Sequence, residues 1–125
     1  MKKAVLDFVN AINEADIEKI GDLMTDDHVF IDSQDNRMTG KEKMKQSWSE
    51  YYKLFPDYQI EINEVFQNES LICLTGYASG TFLNLKDAHW RITAAWTAKV
   101  MDNKISEWKV IADNSVVLDI INQCH

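Results

Sequence analysis

Residues 88–114 read AHWRITAAWTAKVMDNKISEWKVIADN, two strand-like segments joined at Met101-Asp102-Asn103. Side chains of a strand alternate between its two faces, so even and odd positions belong to different surfaces. Odd positions are mostly polar or charged. Even positions are apolar: Trp90, Ile92, Ala94, Trp96, Ala98, Val100, Trp108, Val110 and Ala112. The pattern predicts a hairpin with one aromatic face turned toward the protein interior.

The loop length sets the register of this hairpin. A three-residue loop over 101–103, with Asn103 left-handed, would pair Trp96 with Trp108. A two-residue loop would place Trp108 opposite Thr97 and mix the two faces. Because a one-residue slip would turn the apolar set outward, we predict the three-residue loop.

Length and charge narrow the class of protein. A chain of 125 residues predicts one domain over residues 1–125, and a net charge of −7 argues against nucleic acid and anionic membranes as partners. Asp7 and Asn10 interrupt the first apolar run, and no run is long enough for a membrane span, so we expect neither export nor membrane insertion. Cys73 and Cys124 are then expected to be reduced in a cytoplasmic protein.

The first half of the chain has helical periodicity. One helix repeats apolar residues from Val5 to Ile12, and Asp16 suits the N-cap of a second helix that runs through Met24. Thr39-Gly40-Lys41-Glu42 has the form of a capping box for a third helix, which Pro56 ends. That helix has one broad face of Met44, Trp48, Tyr51, Tyr52 and Phe55.

After Pro56 the period changes from helical to alternating. Tyr58–Phe66 alternates apolar with polar residues, 67–70 resembles a turn, and 71–82 predicts a longer strand before the hairpin. Three helices followed by an antiparallel meander predict an α+β domain whose helices cover one face of a curved sheet.

The order of these segments resembles the nuclear transport factor 2-like superfamily, and within it the SnoaL-like polyketide cyclases. The matching pieces are Phe8-Val9-x-Ala11-Ile12-Asn13-x-x-Asp16, Leu23-Met24-x-Asp26-Asp27, Asp32, Gly40, Asp102-Asn103-Lys104-Ile105-x-Glu107-Trp108, Asp113 and Leu118…Gln123. The resemblance implies a cone-shaped antiparallel sheet wrapped around a long helix, enclosing a pocket open at one end. It also implies a ligand that is a small apolar or aromatic molecule, bound without a cofactor. The implied pocket residues are Phe8, His28, Phe30, Trp48, Tyr51, Tyr52, Phe55, Trp90, Trp96, Trp108 and Val110.

Asp32 is the candidate catalytic residue. The stretch from Phe8 to Asp32 resembles the ketosteroid isomerases without a gap, and Asp32 falls on their catalytic base. A carboxylate facing an apolar pocket suits the movement of a proton from carbon to carbon. The alternative is an aspartate at the end of a strand that caps the following loop, which is common.

The other catalytic positions of these families hold apolar residues in this chain. Phe8 stands where ketosteroid isomerases carry a donating tyrosine, and Trp96 stands near their second acid. The histidine and aspartate pair of the SnoaL-like cyclases falls on Trp96 and Val110. A donor would then come from one of Tyr51, Tyr52, Tyr77, Trp96 or Trp108. Alternatively, these aromatic residues simply fill the core.

Three hypotheses follow. The first is an isomerase, dehydratase or cyclase that acts on an apolar carbonyl compound. The second is a non-catalytic binding protein that uses the same pocket. The third is a dimeric association module whose outer sheet face pairs Arg91, Glu107 and Lys109 across an interface, or leaves them as a solvated charged face. No metal site is expected, because His28 and Asp32 would lie roughly 13 Å apart along a strand.

Overall fold

The structure, a computed structural model, describes residues 1–123 as helices packed against a single mixed sheet. Six strands lie in the order β2-β1-β6-β5-β4-β3. Neighbours are antiparallel except for β1 and β6, which run parallel. The elements are α1 (Lys2–Asn13), α2 (Ile17–Asp22), β1 (Met24–Ile31), β2 (Arg37–Thr39), α3 (Lys41–Leu54), β3 (Gln59–Asn68), β4 (Leu71–Thr81), a 3-10 turn (Phe82–Asn84), β5 (His89–Met101), β6 (Lys104–Ala112) and α4 (Ser115–Gln123). The predicted α+β class is confirmed.

The β5–β6 hairpin forms, but in a different register from the predicted one. Its loop has two residues, Asp102 and Asn103, and both adopt the positive φ that a type I′ turn requires. Trp96 pairs with Val110 instead of Trp108. The prediction was wrong because it allowed no β-bulge. Ser106 is an extra, unpaired residue between Ile105 and Glu107, and the resulting shift by one residue returns the even-numbered side chains of β6 to the inner face.

The bulge also explains the position of Ile105. This residue pairs with Val100 before the bulge and is fully buried, although its odd number predicted the outer face. After the bulge, Trp108 pairs with Ala98 and is buried as predicted. One unpaired residue therefore keeps the apolar side chains of both strands on the inner face.

A second irregularity bends the strands β3 and β4. Their register shifts between Ile62 and Glu64, and Gly76 lies opposite this point. A Cβ atom added to Gly76 would lie 1.8 Å from the Glu61 carbonyl oxygen, so no larger residue fits without movement of the backbone. The shift also turns Phe66 outward, where it is 55% exposed, rather than inward as the alternation predicted.

The helices pack on the inner face of the sheet. Val5, Phe8 and Ile12 of α1 are completely buried, and each contributes roughly 1.5–3 kcal/mol by leaving water. The Asp16 carboxylate caps α2 by accepting from the Lys19 backbone N–H at 3.2 Å, as predicted.

Several boundaries differ from the prediction. Met24 begins β1 instead of continuing α2, because its neighbour Leu23 already accepts from the Ile105 N–H at 2.7 Å. The predicted capping box is absent: Gly40 is the N-cap of α3, and no side chain caps it. Strand β2 and helix α4 were not predicted. Cys124, expected to be reduced, lies outside the described residues.

No helix within residues 1–123 combines the length and the apolarity that crossing a membrane requires.

We predict that Gly76→Ala lowers the free energy of unfolding by about 2–3 kcal/mol or more, because the new methyl group overlaps the Glu61 carbonyl. Urea denaturation followed by tryptophan fluorescence measures this change. Gly21→Ala is the matched control. The three atoms nearest to its methyl group, from 2.6 Å, all belong to the flexible Lys45 side chain, which can move aside, so a change below about 1 kcal/mol is expected. Equal effects of the two substitutions would contradict the role given to Gly76.

Candidate functional site

A cavity of about 320 Å³ lies between helix α3 and the inner face of the sheet. This volume is at the lower end of the roughly 300–1,000 Å³ found for small-molecule sites. Its lining is mainly aromatic and aliphatic, with a few polar groups. The lining residues are Phe30, Asp32, Ser33, Met44, Ser47, Trp48, Tyr51, Tyr58, Ala78, Trp90, Ile92, Ala94, Trp108, Val110, Ala112 and Asn114.

One wall of the cavity is a continuous set of four aromatic rings. Helix α3 supplies Trp48 and Tyr51, whose ring centroids are 6.0 Å apart at 84°. Tyr58 follows, 5.1 Å from Tyr51 at 88°. Trp90 of β5 completes the set at 6.2 Å from Tyr58. The short segment around Pro56 thus lets the helix and the sheet share one aromatic surface.

The opposite wall comes from β1 and β6. These strands run parallel, and Phe30 pairs with Trp108 across them. Trp108 is 1% exposed and is backed by Phe8, whose ring lies 5.1 Å away at 64°. Val110 follows two positions after Trp108 on the same face. The parallel pairing therefore brings the end of β1, and Asp32 with it, beside the aromatic wall.

Asp32 lies at the rim of this cavity and is partly exposed. Its Oδ1 accepts from the backbone N–H groups of Gln34 and Asn36, each at 2.9 Å. Its Oδ2 accepts from the Asn36 side-chain amide at 3.2 Å. The carboxylate therefore caps the loop after β1, as the alternative interpretation expected, and also faces the cavity.

Two lining tyrosines retain an unused hydroxyl. Burial raises the pKa of Tyr51 and the pKa of Tyr58, so both phenols stay protonated at neutral pH. Neither hydroxyl has a hydrogen-bond partner among residues 1–123. The Tyr52 hydroxyl, by contrast, donates to the Ile12 carbonyl at 2.5 Å. Tyr51 and Tyr58 are therefore the two phenols free to donate to a ligand.

The SnoaL-like domain family model matches residues 5–108 of the chain. The chain belongs to the SnoaL-like domain family. A search of curated proteins finds no match. The fold of this SnoaL-like domain recurs in solved structures of low sequence identity.

Three of these structures illustrate the similarity. A provisionally named SnoaL-like polyketide cyclase from Shewanella denitrificans OS-217 superposes with a TM-score of 0.83 and 17% identity, covering 98% of this chain and 96% of that chain. A hypothetical protein of ketosteroid isomerase-like fold from Catenulispora acidiphila DSM 44928, in complex with trimethylamine, superposes with a TM-score of 0.84 and 14% identity. The match covers 93% of this chain and 89% of that chain. An LEH-like epoxide hydrolase from M. tuberculosis superposes with a TM-score of 0.81 and 15% identity, and the match covers 97% of this chain and 88% of that chain. At these identities the likeness shows the fold alone.

Six of the eleven residues predicted to line the pocket lie in the lining of this SnoaL-like domain's cavity, and so does Asp32, the candidate catalytic residue. These seven residues are Phe30, Asp32, Trp48, Tyr51, Trp90, Trp108 and Val110. Five others lie outside the wall, in the layer behind it: Phe8, His28, Tyr52, Phe55 and Trp96. They were misplaced because strand parity and helix face identify inward side chains but do not separate a cavity wall from the core behind it.

Ring contacts show what the aromatic residues behind the wall do. Phe8 packs edge-on against Trp108, and Trp96 stacks on Trp108 at 6.4 Å. Phe55 meets Trp90 at 5.5 Å and 89°, and Tyr52 stacks on Trp48 at 5.7 Å. Each of these four residues therefore holds in place a ring that lines the cavity.

Other lining residues were not among the predicted site. Tyr58, Ala78, Ile92, Ala94 and Ala112 had the right alternation, and Met44 lay on the apolar face of α3. Ser33, Ser47 and Asn114 gave no signal, because their positions depend on contacts between distant segments. The Asn114 amide, for example, donates to the Ser33 hydroxyl at 2.7 Å across the cavity rim.

His28 is a completely buried polar residue of this SnoaL-like domain. Its Nδ1 lies 2.7 Å from the Ile105 carbonyl oxygen, which can only accept, so Nδ1 carries the proton. Nε2 has no partner among the described residues. Burial lowers the pKa of His28, and the Ile105 carbonyl, Glu107 and Asp27 only partly oppose this. A second proton on the ring would therefore be buried without an acceptor.

We predict that the domain loses stability in acid because of His28. The unfolded chain takes up a proton near pH 6.5, whereas the folded state resists protonation until a lower pH. The free energy of unfolding should thus fall as the pH drops below about 6.5, by at most about 1.4 kcal/mol per pH unit for this one group. Urea denaturation from pH 7 to pH 5 measures the slope.

His28→Asn should flatten this slope, because asparagine can still donate to the Ile105 carbonyl but does not titrate. Phe30→Leu, at a position of β1 that does not titrate, is the control: it should lower stability without changing the slope of the wild type. If the two variants behave alike, the buried imidazole is not the cause.

Proposed function

We propose that the protein binds a small, mostly apolar carbonyl compound in the cavity and moves a proton on it, with Asp32 as general base. The observation that carries this proposal is that one carboxylate and an aromatic wall line the same cavity. Proton transfer between carbon atoms needs a base and a group that stabilises the enolate, and it needs no cofactor.

Asp32 suits the role of base through its position and support. The loop N–H groups hold Oδ1, whereas Oδ2 has one longer contact, to the Asn36 amide at 3.2 Å. Oδ2 is therefore the oxygen that we assign to the substrate. A fixed carboxylate lowers the entropic cost of reaching the transition state. Asp32 would take a proton from the carbon beside the carbonyl and return it at a second carbon.

Tyr51 and Tyr58 suit the role of donor to the carbonyl oxygen. Both are protonated and have an unused hydroxyl, and their ring centroids are only 5.1 Å apart. As the proton leaves the substrate carbon, negative charge gathers on the carbonyl oxygen, and a phenol O–H would stabilise it. These residues would replace the tyrosine hydroxyl that is missing at Phe8.

A second candidate function is binding without catalysis. Three hydrogen bonds to the Asp32 carboxylate already account for its presence at the end of β1. Phe8, Trp96 and Val110 are also apolar where the resemblance implies polar catalytic groups. A carrier or sensor would need only the cavity and its aromatic wall.

We also propose that two copies associate through the outer face of the sheet. Phe66 is 55% exposed there, next to Cys73 in the register of β3 and β4. Within one copy, Arg91 already pairs with Glu61 at 3.0 Å and lies over the Tyr77 ring at 3.7 Å. Phe66, rather than the predicted charges Arg91, Glu107 and Lys109, therefore offers the apolar contact.

We predict that Asp32→Asn lowers catalysed α-proton exchange at least about 100-fold, because the amide cannot accept the proton. The measurement is the loss of α-proton NMR signals from cyclohexanone, 2-cyclohexenone or 1-indanone in D₂O. The side-chain oxygen of this variant can still accept from the loop N–H groups, so the fold should persist.

Asp35→Asn is the matched control, since Asp35 belongs to the same loop but does not line the cavity. It should exchange protons at the rate of the wild type. Exchange by Asp32→Asn at that same rate would remove Asp32 as the base. Binding of the ketones without exchange by the wild type would favour the second candidate function.

We predict that Phe66→Asp weakens self-association at least about tenfold, because it places a charge in the contact. Sedimentation velocity over a range of protein concentrations measures this effect. Leu83→Asp, at a residue that is 48% exposed on the 3-10 turn, should leave association unchanged. A monomeric wild type at every concentration would overturn the proposed dimer.

A further inference from the structure

The lining of the cavity carries a single kind of charge. Asp32 is its only charged residue, and no lysine, arginine or histidine of the described chain lines it. A bound anion would therefore meet a carboxylate and no compensating cation. A bound cation would meet a carboxylate of opposite sign at the rim and apolar rings inside.

The geometry of the rings strengthens this argument. Tyr51 stands nearly perpendicular to both Trp48 and Tyr58, at 84° and 88°. Rings set at these angles do not form one flat surface, so the aromatic lining turns around the cavity. The electron-rich face of an aromatic ring attracts a cation within about 6 Å, and tryptophan does so most strongly. Trp90 and Trp108 extend this aromatic surface around the cavity.

The surface outside the cavity rim is also negatively charged. A shallow depression adjoins the cavity at Asp32, and it is lined by Asp35 and Asp113 as well. Among residues 1–123, Lys109 is the single basic residue there. Three carboxylates against one ammonium group, on a chain of net charge −7, favour the approach of cations over anions.

We propose that the cavity also binds a second class of ligand, an organic cation: an alkylated ammonium compound held by the rings and paired with Asp32. A metal ion does not fit, since residues 1–123 contain no group of three histidine, cysteine or acidic side chains that could hold one. A methylated ammonium spreads its charge over carbon-bound hydrogens, so it suits walls that offer few hydrogen-bond acceptors. This inference rests on the proposed binding of a small molecule in the cavity, but not on the proposed proton transfer.

Choline and 3,3-dimethylbutan-1-ol form the test pair, because they share size and shape and differ in charge. Titration followed by tryptophan fluorescence, with calorimetry as a second readout, gives both dissociation constants. We expect choline to bind at least about tenfold more tightly than the neutral alcohol. The difference should shrink as salt screens the Asp32 charge.

Two pairs of variants separate the contribution of the Asp32 carboxylate to choline binding from that of the aromatic rings. Asp32→Asn should weaken choline binding about fivefold or more and leave binding of the alcohol unaffected. Asp102→Asn, at the tip of the β5–β6 hairpin and outside both the cavity and the adjoining depression, should change neither affinity. Tyr51→Leu, which keeps an apolar side chain but removes the ring, should weaken choline more than Tyr51→Phe does. The affinity for the neutral alcohol should differ much less between the two Tyr51 variants.

The outcomes separate this inference from the proposed function. Equal affinity for the two probes, or tighter binding of the alcohol, overturns the cation site and leaves a small-molecule cavity in place. Absence of choline binding to the folded wild type also overturns it, and the ketone exchange assay then judges the proposed function alone. Choline affinity that is the same in Asp32→Asn and in both Tyr51 variants would place any cation elsewhere on the protein and overturn the site as well.

Discussion

The register of the β5–β6 hairpin is the constraint on which the cavity depends. Ser106 bulges out of β6, and this single unpaired residue brings Ile105 and Trp108 to the same face despite their odd and even numbers. Without the bulge, Trp108 would turn outward and its contacts with Phe8 and Trp96 would be lost. Because β1 pairs with β6 in parallel, the same register also decides where Asp32 lies.

A cavity in so aromatic a domain requires rings that are held apart. Tyr52 is fixed by its hydrogen bond to the Ile12 carbonyl and stacks on Trp48, and Phe55 meets Trp90 nearly at right angles. These rings contact one another along the walls instead of filling the middle. The energetic consequence is an interior that buries its aromatic surface against itself and still leaves room for a ligand.

Asp32 shows how one residue can serve structure and function together. Its hydrogen bonds to the loop explain why an aspartate ends β1, and the loop holds the carboxylate at the cavity rim. His28, four positions earlier and inside β1, serves the core alone: it lies at the irregular pairing between β1 and β6, and its imidazole bonds to the Ile105 carbonyl. Strand β1 thus supplies one group to the core, and the residue that follows it supplies another to the site.

Alternation and helical spacing were sufficient to predict the class of fold, the inward face of the hairpin and the aromatic face of α3, because these depend on residues close in the chain. The bulges at Ser106 and near Glu64, the parallel pairing of β1 with β6, and the division between cavity wall and core were not predictable in this way. Each depends on which distant segments meet: the wall includes Tyr58 and Trp90 but not Phe55, and the rim joins Ser33 to Asn114. Local pattern fixes which side of an element is apolar, but only the packed chain decides which apolar side chains face a neighbour and which face empty space.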